Sequence, residues 1–287
     1  MIAGTRESAL AMRQTEMFKE YLEDAGLGPC EIKGITARGD VDQTSALKDL
    51  GGAGAFVREL DEALLKGEVD VTVNSLKDIP AFIDPRLTIG AVLPRDDPRD
   101  ALYPLDLSSL GCGAIVGTSS VRREMIMRTA KPGVRIKPLR GNIQTRLDKV
   151  ETEEYNATIM AKAGLDRLDI TANVYPLEKN LFVPAAGQGA IAVECRADDE
   201  KTLAVLKQLD DRKTRTEVTA ERTVLRLMNA GCSSPIGINA ELNGLKLHIL
   251  AVSFDYTVRP VRLDTTFPLK DLDTELPKIA AKLMGKE

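Results

Sequence analysis

Strand-like runs alternate with helix-like stretches through most of the chain, and this alternation limits the fold more than any other feature. Residues 7–25 carry Leu10, Met12, Met17, Phe18 and Leu22 in a helical apolar pattern and stop at Gly26. A strand-like run follows at 31–36. Residues 55–66 read as a helix, apolar at Phe56, Val57, Leu60, Ala63 and Leu64 and closed by Gly67, with a strand at 69–73 behind it. Further strand-like runs fall at 87–93, 114–117, 134–137, 157–161 and 190–194. The pattern predicts α/β layers with largely parallel sheets. After a helix at 214–229 the grammar changes. Residues 236–242, 245–255 and 258–267 read as successive antiparallel strands before a last helix from about 273, which predicts a small α+β domain. Residues 94–98 and 184–189 are rich in Pro, Gly and charge and read as linkers. They divide the chain into a discontinuous domain (1–94 plus 189–210), a middle domain (99–184) and a third (214–287). Residues 39–54, Gly-rich and polar, form a loop long enough to be expected as a lid.

Charge narrows the function. The 287-residue chain has a net charge of −4 and a pI near 5.4, which argues against general nucleic-acid binding. No stretch reaches the ~18 apolar residues of a membrane span. The opening MIAGTRESALAM lacks the charged start and apolar run of a signal peptide, so a cytoplasmic location is expected. The four cysteines have neither CxxC nor zinc spacing, and His248 is the one histidine, so no metal site is expected and Ser-His catalysis is discounted. Against the acidic background, residues 117–146 hold eight Lys/Arg and a single acid, Glu124. Concentrated positive charge of this kind attracts an anion.

Four strand-to-helix junctions place hydroxyl or small residues beside cations: Thr5-Arg6-Glu7-Ser8, Ser75-Leu76-Lys77, Ser119-Ser120-Val121-Arg122-Arg123 and Arg140-Gly141-Asn142. Arg122 and Arg123 fall in the first turn of a helix, where the dipole disfavours cations unless an anion is present. Arg146 falls in the first turn of the next helix. Ligands of open α/β sheets bind beyond the carboxyl ends of the strands, so the junctions are expected to converge on one anion-binding cleft. Asp78 follows Lys77 at the mouth of that cleft. It either serves as a proton acceptor and cation stabiliser or pairs with Lys77 and caps its turn; spacing leaves both open. Cys232, in a Gly/Pro-bounded loop, is either an accessible attachment point or a small buried hydrophobe.

These segments resemble the porphobilinogen deaminase family. The resemblance rests on Thr5-Arg6-Glu7-Ser8-Ala9-Leu10-Ala11, Ser75-Leu76-Lys77-Asp78-Ile79-Pro80, Arg95-Asp96-Asp97-Pro98-Arg99-Asp100-Ala101 and Gly117-Thr118-Ser119-Ser120-Val121-Arg122-Arg123. It continues through Leu139-Arg140-Gly141-Asn142-Ile143-Gln144-Thr145-Arg146-Leu147, Pro184-Ala185-Ala186-Gly187-Gln188-Gly189-Ala190 and Gly231-Cys232-Ser233-Ser234-Pro235-Ile236-Gly237. It implies two periplasmic-binding-protein-like α/β domains plus a small C-terminal α+β domain. It implies a monomeric cytoplasmic transferase that joins four porphobilinogens head to tail into hydroxymethylbilane, with loss of four ammonia, in tetrapyrrole biosynthesis. A dipyrromethane cofactor would be held by a thioether to Cys232, with Lys77, Ser120, Arg122, Arg123, Arg140 and Asp78 around it. Arg6, Ser8, Arg140 and Arg146 would bind substrate carboxylates, and Asp78 would be catalytic. A hand-off of product to the next enzyme of the pathway is a further expectation. Two positions depart from the family pattern: Ala53 stands where a lid lysine is common, and Asn74 where histidine precedes Ser-x-Lys-Asp. The rival readings are a solute- or effector-binding protein of the same fold and a phosphate-handling enzyme; no P-loop motif supports the latter.

Overall fold

The computed structural model describes residues 1–36, 57–152, 155–231, 234–257 and 259–286. The expected lid at 39–54, with Ala53, and the expected attachment residue Cys232 lie outside these.

In chain order, β1 (Ile2–Arg6), α1 (Ala9–Asp24), β2 (Glu31–Ile35), α2 (Arg58–Leu65), β3 (Val71–Ser75) and β4 (Leu87–Val92) come first. Next are β5 (Asp100–Tyr103), β6 (Ile115–Gly117), α3 (Val121–Ala130), β7 (Arg135–Lys137), α4 (Ile143–Thr152), β8 (Ala157–Ala161), α5 (Lys162–Asp166) and β9 (Tyr175–Pro176). The chain ends with β10 (Ile191–Arg196), α6 (Glu200–Leu206), α7 (Arg212–Leu227), β11 (Ile236–Asn243), β12 (Lys246–Ser253), β13 (Val261–Pro268) and α8 (Leu272–Leu283).

Contacts divide the chain into two units, Met1–Asp96 with Ala190–Arg215, and Asp97–Gly189 with Thr216–Glu287. The first is built on a sheet of order β2-β1-β3-β10-β4. β1 runs parallel to both β2 and β3, whereas β10 runs antiparallel to β3 and β4. Period-two apolar positions Val71 and Val73 on β3 and Ile191, Val193 and Cys195 on β10 meet Phe18 and Leu22 of α1 in one core cluster. Phe18 and Leu22 belong to the stripe Ala11, Gln14, Thr15, Phe18 and Leu22 that α1 buries. α2 has its own cluster, where Ala63 and Leu64 pack with Val69 and Leu87.

The second unit repeats this plan as β7-β6-β8-β5-β9, with β6 parallel to β7 and β8, and β5 antiparallel to β8 and β9. β5 is a strand that the sequence reading leaves out. It has only four residues, all buried, and comes one residue after the linker-like Asp96-Asp97-Pro98. The antiparallel sheet β11-β12-β13 belongs to this unit as well. β12 is apolar on both faces. Leu247, Ile249 and Ala251 pack with Val224 of α7 and Leu276, Ile279 and Leu283 of α8. Leu250 and Val252 turn the other way and join Val116, Ile126, Met127 and Ile159. Each such buried aliphatic side chain contributes about 1.5–3 kcal/mol. The C-terminal sheet is thus bonded into the second unit by a shared core. The α/β class with a C-terminal α+β portion is as the sequence leads one to expect.

Candidate active site

In the first unit the sheet order 2-1-3 means that the chain leaves β1 in opposite directions to reach β2 and β3. The carboxyl ends of β1 and β3 flank the resulting switch point, where open α/β sheets bind ligands. A pocket sits there. Arg6 and Ser8 enter it from the end of β1, Ala11 and Gln14 from α1, and Asn74, Ser75 and Asp78 from the end of β3. Ser8 is also the N-cap of α1, its Oγ accepting from the Ala11 N–H at 3.4 Å. Asp78 closes the 3₁₀ turn Leu76–Asp78, which also carries the half-buried Lys77. Asp78 is the one acid among the described lining residues. Arg6, Ser8 and Asp78, expected together, therefore share one pocket.

Gln14 of this pocket escaped the sequence reading, and Asn74 entered it only as a departure from the family pattern. Gln14 is 2% exposed and donates from Nε2 to Ser75 Oγ at 2.7 Å, tying α1 to the end of β3. Its signal was its place in the buried stripe of α1, where a polar side chain needs a partner. Asn74 donates from Nδ2 to Glu194 Oε2 at 3.1 Å, and both side chains are buried. The β10 register shifts between Val193 and Glu194, the kind of irregularity that re-aims a side chain.

In the second unit β6 and β7 are parallel neighbours, so the turns after them lie side by side. Ser119 Oγ donates to the Leu139 carbonyl at 3.1 Å and joins the two. Ser120 caps α3, accepting from the Arg123 N–H at 3.4 Å. Arg140 is half-buried in the second turn, ahead of Gly141 at φ 118°, a conformation that side chains rarely adopt. A Cβ on Gly141 would also lie 2.7 Å from Thr145 Cγ2. Arg146 donates from Nε to the Gly141 carbonyl at 2.8 Å and so braces this turn. Lys137 lies over the Tyr155 ring, 4.9 Å from its centroid.

Arg122 and Arg123 lie elsewhere than on an open edge. They are 4% and 6% exposed, and both close on Asp100, the first residue of β5, which is fully buried. Arg122 Nη1 donates to Asp100 Oδ2 at 2.7 Å and to the Val183 carbonyl at 2.8 Å. Arg123 donates to Asp100 Oδ1 from Nε at 3.0 Å and from Nη2 at 2.8 Å, and from Nη1 to the Ile159 carbonyl at 3.1 Å. Burial alone would push the Asp100 carboxyl up; the charges of Arg122 and Arg123, with hydrogen bonds from Arg122 and Gln188, overcome it and hold the group well below the usual carboxylate range. The expectation that first-turn arginines imply an anion is met by an anion of the chain itself.

Of the other cysteines, Cys195 is buried in the first sheet, where burial first and Asp199 second push its thiol up to about 11. Cys30 is buried as well, and Cys112 is exposed. Among the described residues no group of His, Cys, Asp and Glu is placed to hold a metal, and no helix is long and apolar enough to cross a membrane.

Switch-point edges carrying cations and hydroxyls, one of them beside a carboxylate, define the class as an α/β protein with polar, charged side chains gathered at its strand ends. Comparison with known sequences narrows it. The family model described as "Porphobilinogen deaminase, dipyromethane cofactor binding domain" matches residues 1–204, and "Porphobilinogen deaminase, C-terminal domain" matches 215–284. The porphobilinogen deaminase of Oceanobacillus iheyensis is 40% identical over 290 residues, covering 99% of this chain and 93% of the relative. That of Bacillus subtilis is 44% identical over 249 residues, covering 84% and 79%. A probable porphobilinogen deaminase of Picrophilus torridus is 44% identical over 253 residues, covering 88% and 89%. Among solved structures, the methionine-binding protein MetQ is similar at a TM-score of 0.46 and 12% identity, covering 77% of this chain and 94% of that one. The chain belongs to the porphobilinogen deaminase family.

Proposed function

We propose that this chain joins four porphobilinogen molecules head to tail, with loss of four ammonia, into the linear tetrapyrrole hydroxymethylbilane, primed by a covalently bound dipyrromethane. One structural observation supports this reading above the rest: a cation, a hydroxyl and a single carboxylate share the switch-point pocket of the first unit. Porphobilinogen carries an acetate and a propionate on a pyrrole ring. The Arg6 guanidinium suits planar, two-pronged recognition of such a carboxylate, and Ser8 adds a hydroxyl donor. In the same pocket, Asp78 is the acceptor for a pyrrole N–H and for a proton, and its charge stabilises a pyrrole that becomes cationic as ammonia leaves.

The residues at the carboxyl edge of the second sheet fit the cofactor chemically. Ser120 and Arg140 stand on turns joined by the Ser119–Leu139 hydrogen bond, and hydroxyls and cations are the partners that acetate and propionate groups require. We assign Ser120, Arg122, Arg123, Arg140 and, from the first unit, Lys77 and Asp78 to holding it, with Cys232 as its attachment. When bound, dipyrromethane supplies the pyrrole carbon that starts the chain and an anchor that outlasts turnover. Arg146, through its bond to the Gly141 carbonyl, keeps Arg140 in place for the longer acidic chain. The same reading keeps the division into domains 1–94 plus 189–210, 99–184 and 214–287, and a cytoplasmic monomer that passes its product to the next enzyme of the pathway.

Incubation of the purified protein with porphobilinogen tests the reading. Ammonia and linear tetrapyrrole are expected, together with an intact mass above that of the polypeptide that disappears in Cys232→Ala. A polypeptide of unmodified mass that releases neither product overturns it.

A further inference from the structure

Asp100 gathers two arginines and Gln188 around one buried carboxylate, and the chemistry above gives Asp100 itself no role. Asp100 Oδ1 accepts from Arg123 Nε and Nη2, from Gln188 Nε2 at 2.9 Å and from Arg122 Nη2 at 3.3 Å, while Oδ2 accepts from Arg122 Nη1. Gln188 also donates to the Pro98 carbonyl at 2.8 Å. Stability alone is a weak reason for such an arrangement, because desolvating three charges offsets most of their attraction and apolar side chains of similar volume serve a core as well. Orientation is a better one. Bonds to Asp100 and to the Val183 and Ile159 carbonyls hold the two guanidiniums in place, so less side-chain freedom has to be given up when a ligand arrives. Both arginines stem from the first turn of α3, directly behind the Ser120 cap, where helix N–H groups face outward. Among the described residues, three of the five N–H donors of Arg122 are engaged, which leaves two for an acidic ligand.

We propose that Asp100 is a positioning residue for cofactor loading: its buried carboxylate holds Arg122 and Arg123 at the root of α3 in the orientation that receives a carboxylate of the dipyrromethane. The inference rests on the enzyme reading above and extends it to a residue that touches neither substrate nor cofactor. Its physical content is preorganisation, in which the receiving charges are fixed in advance instead of being gathered by the ligand.

The test uses full-length protein made in cells that lack porphobilinogen, then supplied with porphobilinogen and followed by intact mass. The rate of adduct formation is divided by the folded fraction, measured from the unfolding transition. Wild type is expected to gain the adduct; if it does not, the enzyme reading falls and this proposal with it. Asp100→Asn, which keeps the shape and removes the charge, is expected to load at least tenfold more slowly per folded molecule. Asp100→Glu, which keeps the charge, is expected to recover part of the rate. A folded Asp100→Asn protein that loads at the wild-type rate overturns the proposal. Where Asp100→Asn yields no folded fraction, Asp100→Glu decides: a rate equal to wild type overturns the proposal, and a slower rate at matched stability supports it.

Discussion

The two units share a sheet plan and treat their charges in opposite ways. Each has three parallel strands in the order edge, first, third, followed by one reversed strand, and each reversed strand carries a buried acid. On β10 this is Glu194, which accepts from the neutral amide of Asn74. On β5 it is Asp100, which draws in two arginines. The first unit accordingly keeps its switch-point arginine, Arg6, in the pocket, while the second turns Arg122 and Arg123 inward. Similar junction sequences, Thr-Arg-x-Ser in one and Ser-Ser-x-Arg-Arg in the other, thus lead to an arginine that lines a pocket and to two arginines rooted on a buried acid. An acid waits on the reversed strand in both units; in the first the neutral Asn74 satisfies it, and in the second two arginines do.

The comparison makes predictions of graded size. The largest effect falls on Asp78. Asp78→Asn should lower turnover by about 10²–10⁴-fold, the usual worth of a positioned proton-transfer group, while the adduct mass persists. Retained ammonia release would remove Asp78 from the chemistry. Next is the contrast between arginines. Arg122→Ala leaves the buried Asp100 short of a partner and should cost about 3–5 kcal/mol of stability by chemical denaturation. Arg6→Ala should leave the unfolding midpoint nearly unchanged but raise KM for porphobilinogen about 10–100-fold, the loss of one charge-assisted contact. If the two variants exchanged these phenotypes, the distinction between the units would be lost.

The smallest effect concerns Asp61 on α2, whose carboxyl is raised to about 6, by burial first and by Asp84 second. A carboxyl raised in the folded state binds its proton more tightly there than in the unfolded chain. Its stabilisation is complete below pH ~4 and fades as pH rises through ~6. Asp61→Asn should therefore raise Tm by a few degrees at pH 7–8 and leave it unchanged at pH 4. A Tm gain equal at both pH values would assign the effect to packing.

Much of this was legible in the sequence. The alternating elements, the antiparallel C-terminal strands and the residues of the first pocket follow from periodicity, turn chemistry and the family motifs. What escaped reading has a physical reason in each case. β5 is too short to show a period, and its Asp100 resembles the charged linker just before it. The partners of Asp100 stand 22 and 23 residues away on a helix, a distance at which local pattern carries no information. Gln14 was visible only by placing it on the buried stripe of α1 instead of counting it as one more polar residue.

One feature of the first sheet bears on how the molecule is made. β10 lies between β3 and β4 and pairs with both, yet it is encoded about a hundred residues after β4. A nascent polypeptide emerging from the ribosome displays β3 and β4 long before the strand that separates them exists. The early segment must wait, its central seam open, until nearly the whole middle of the gene has been translated. Fragments that stop short of residue 196 are then natural clients of chaperones.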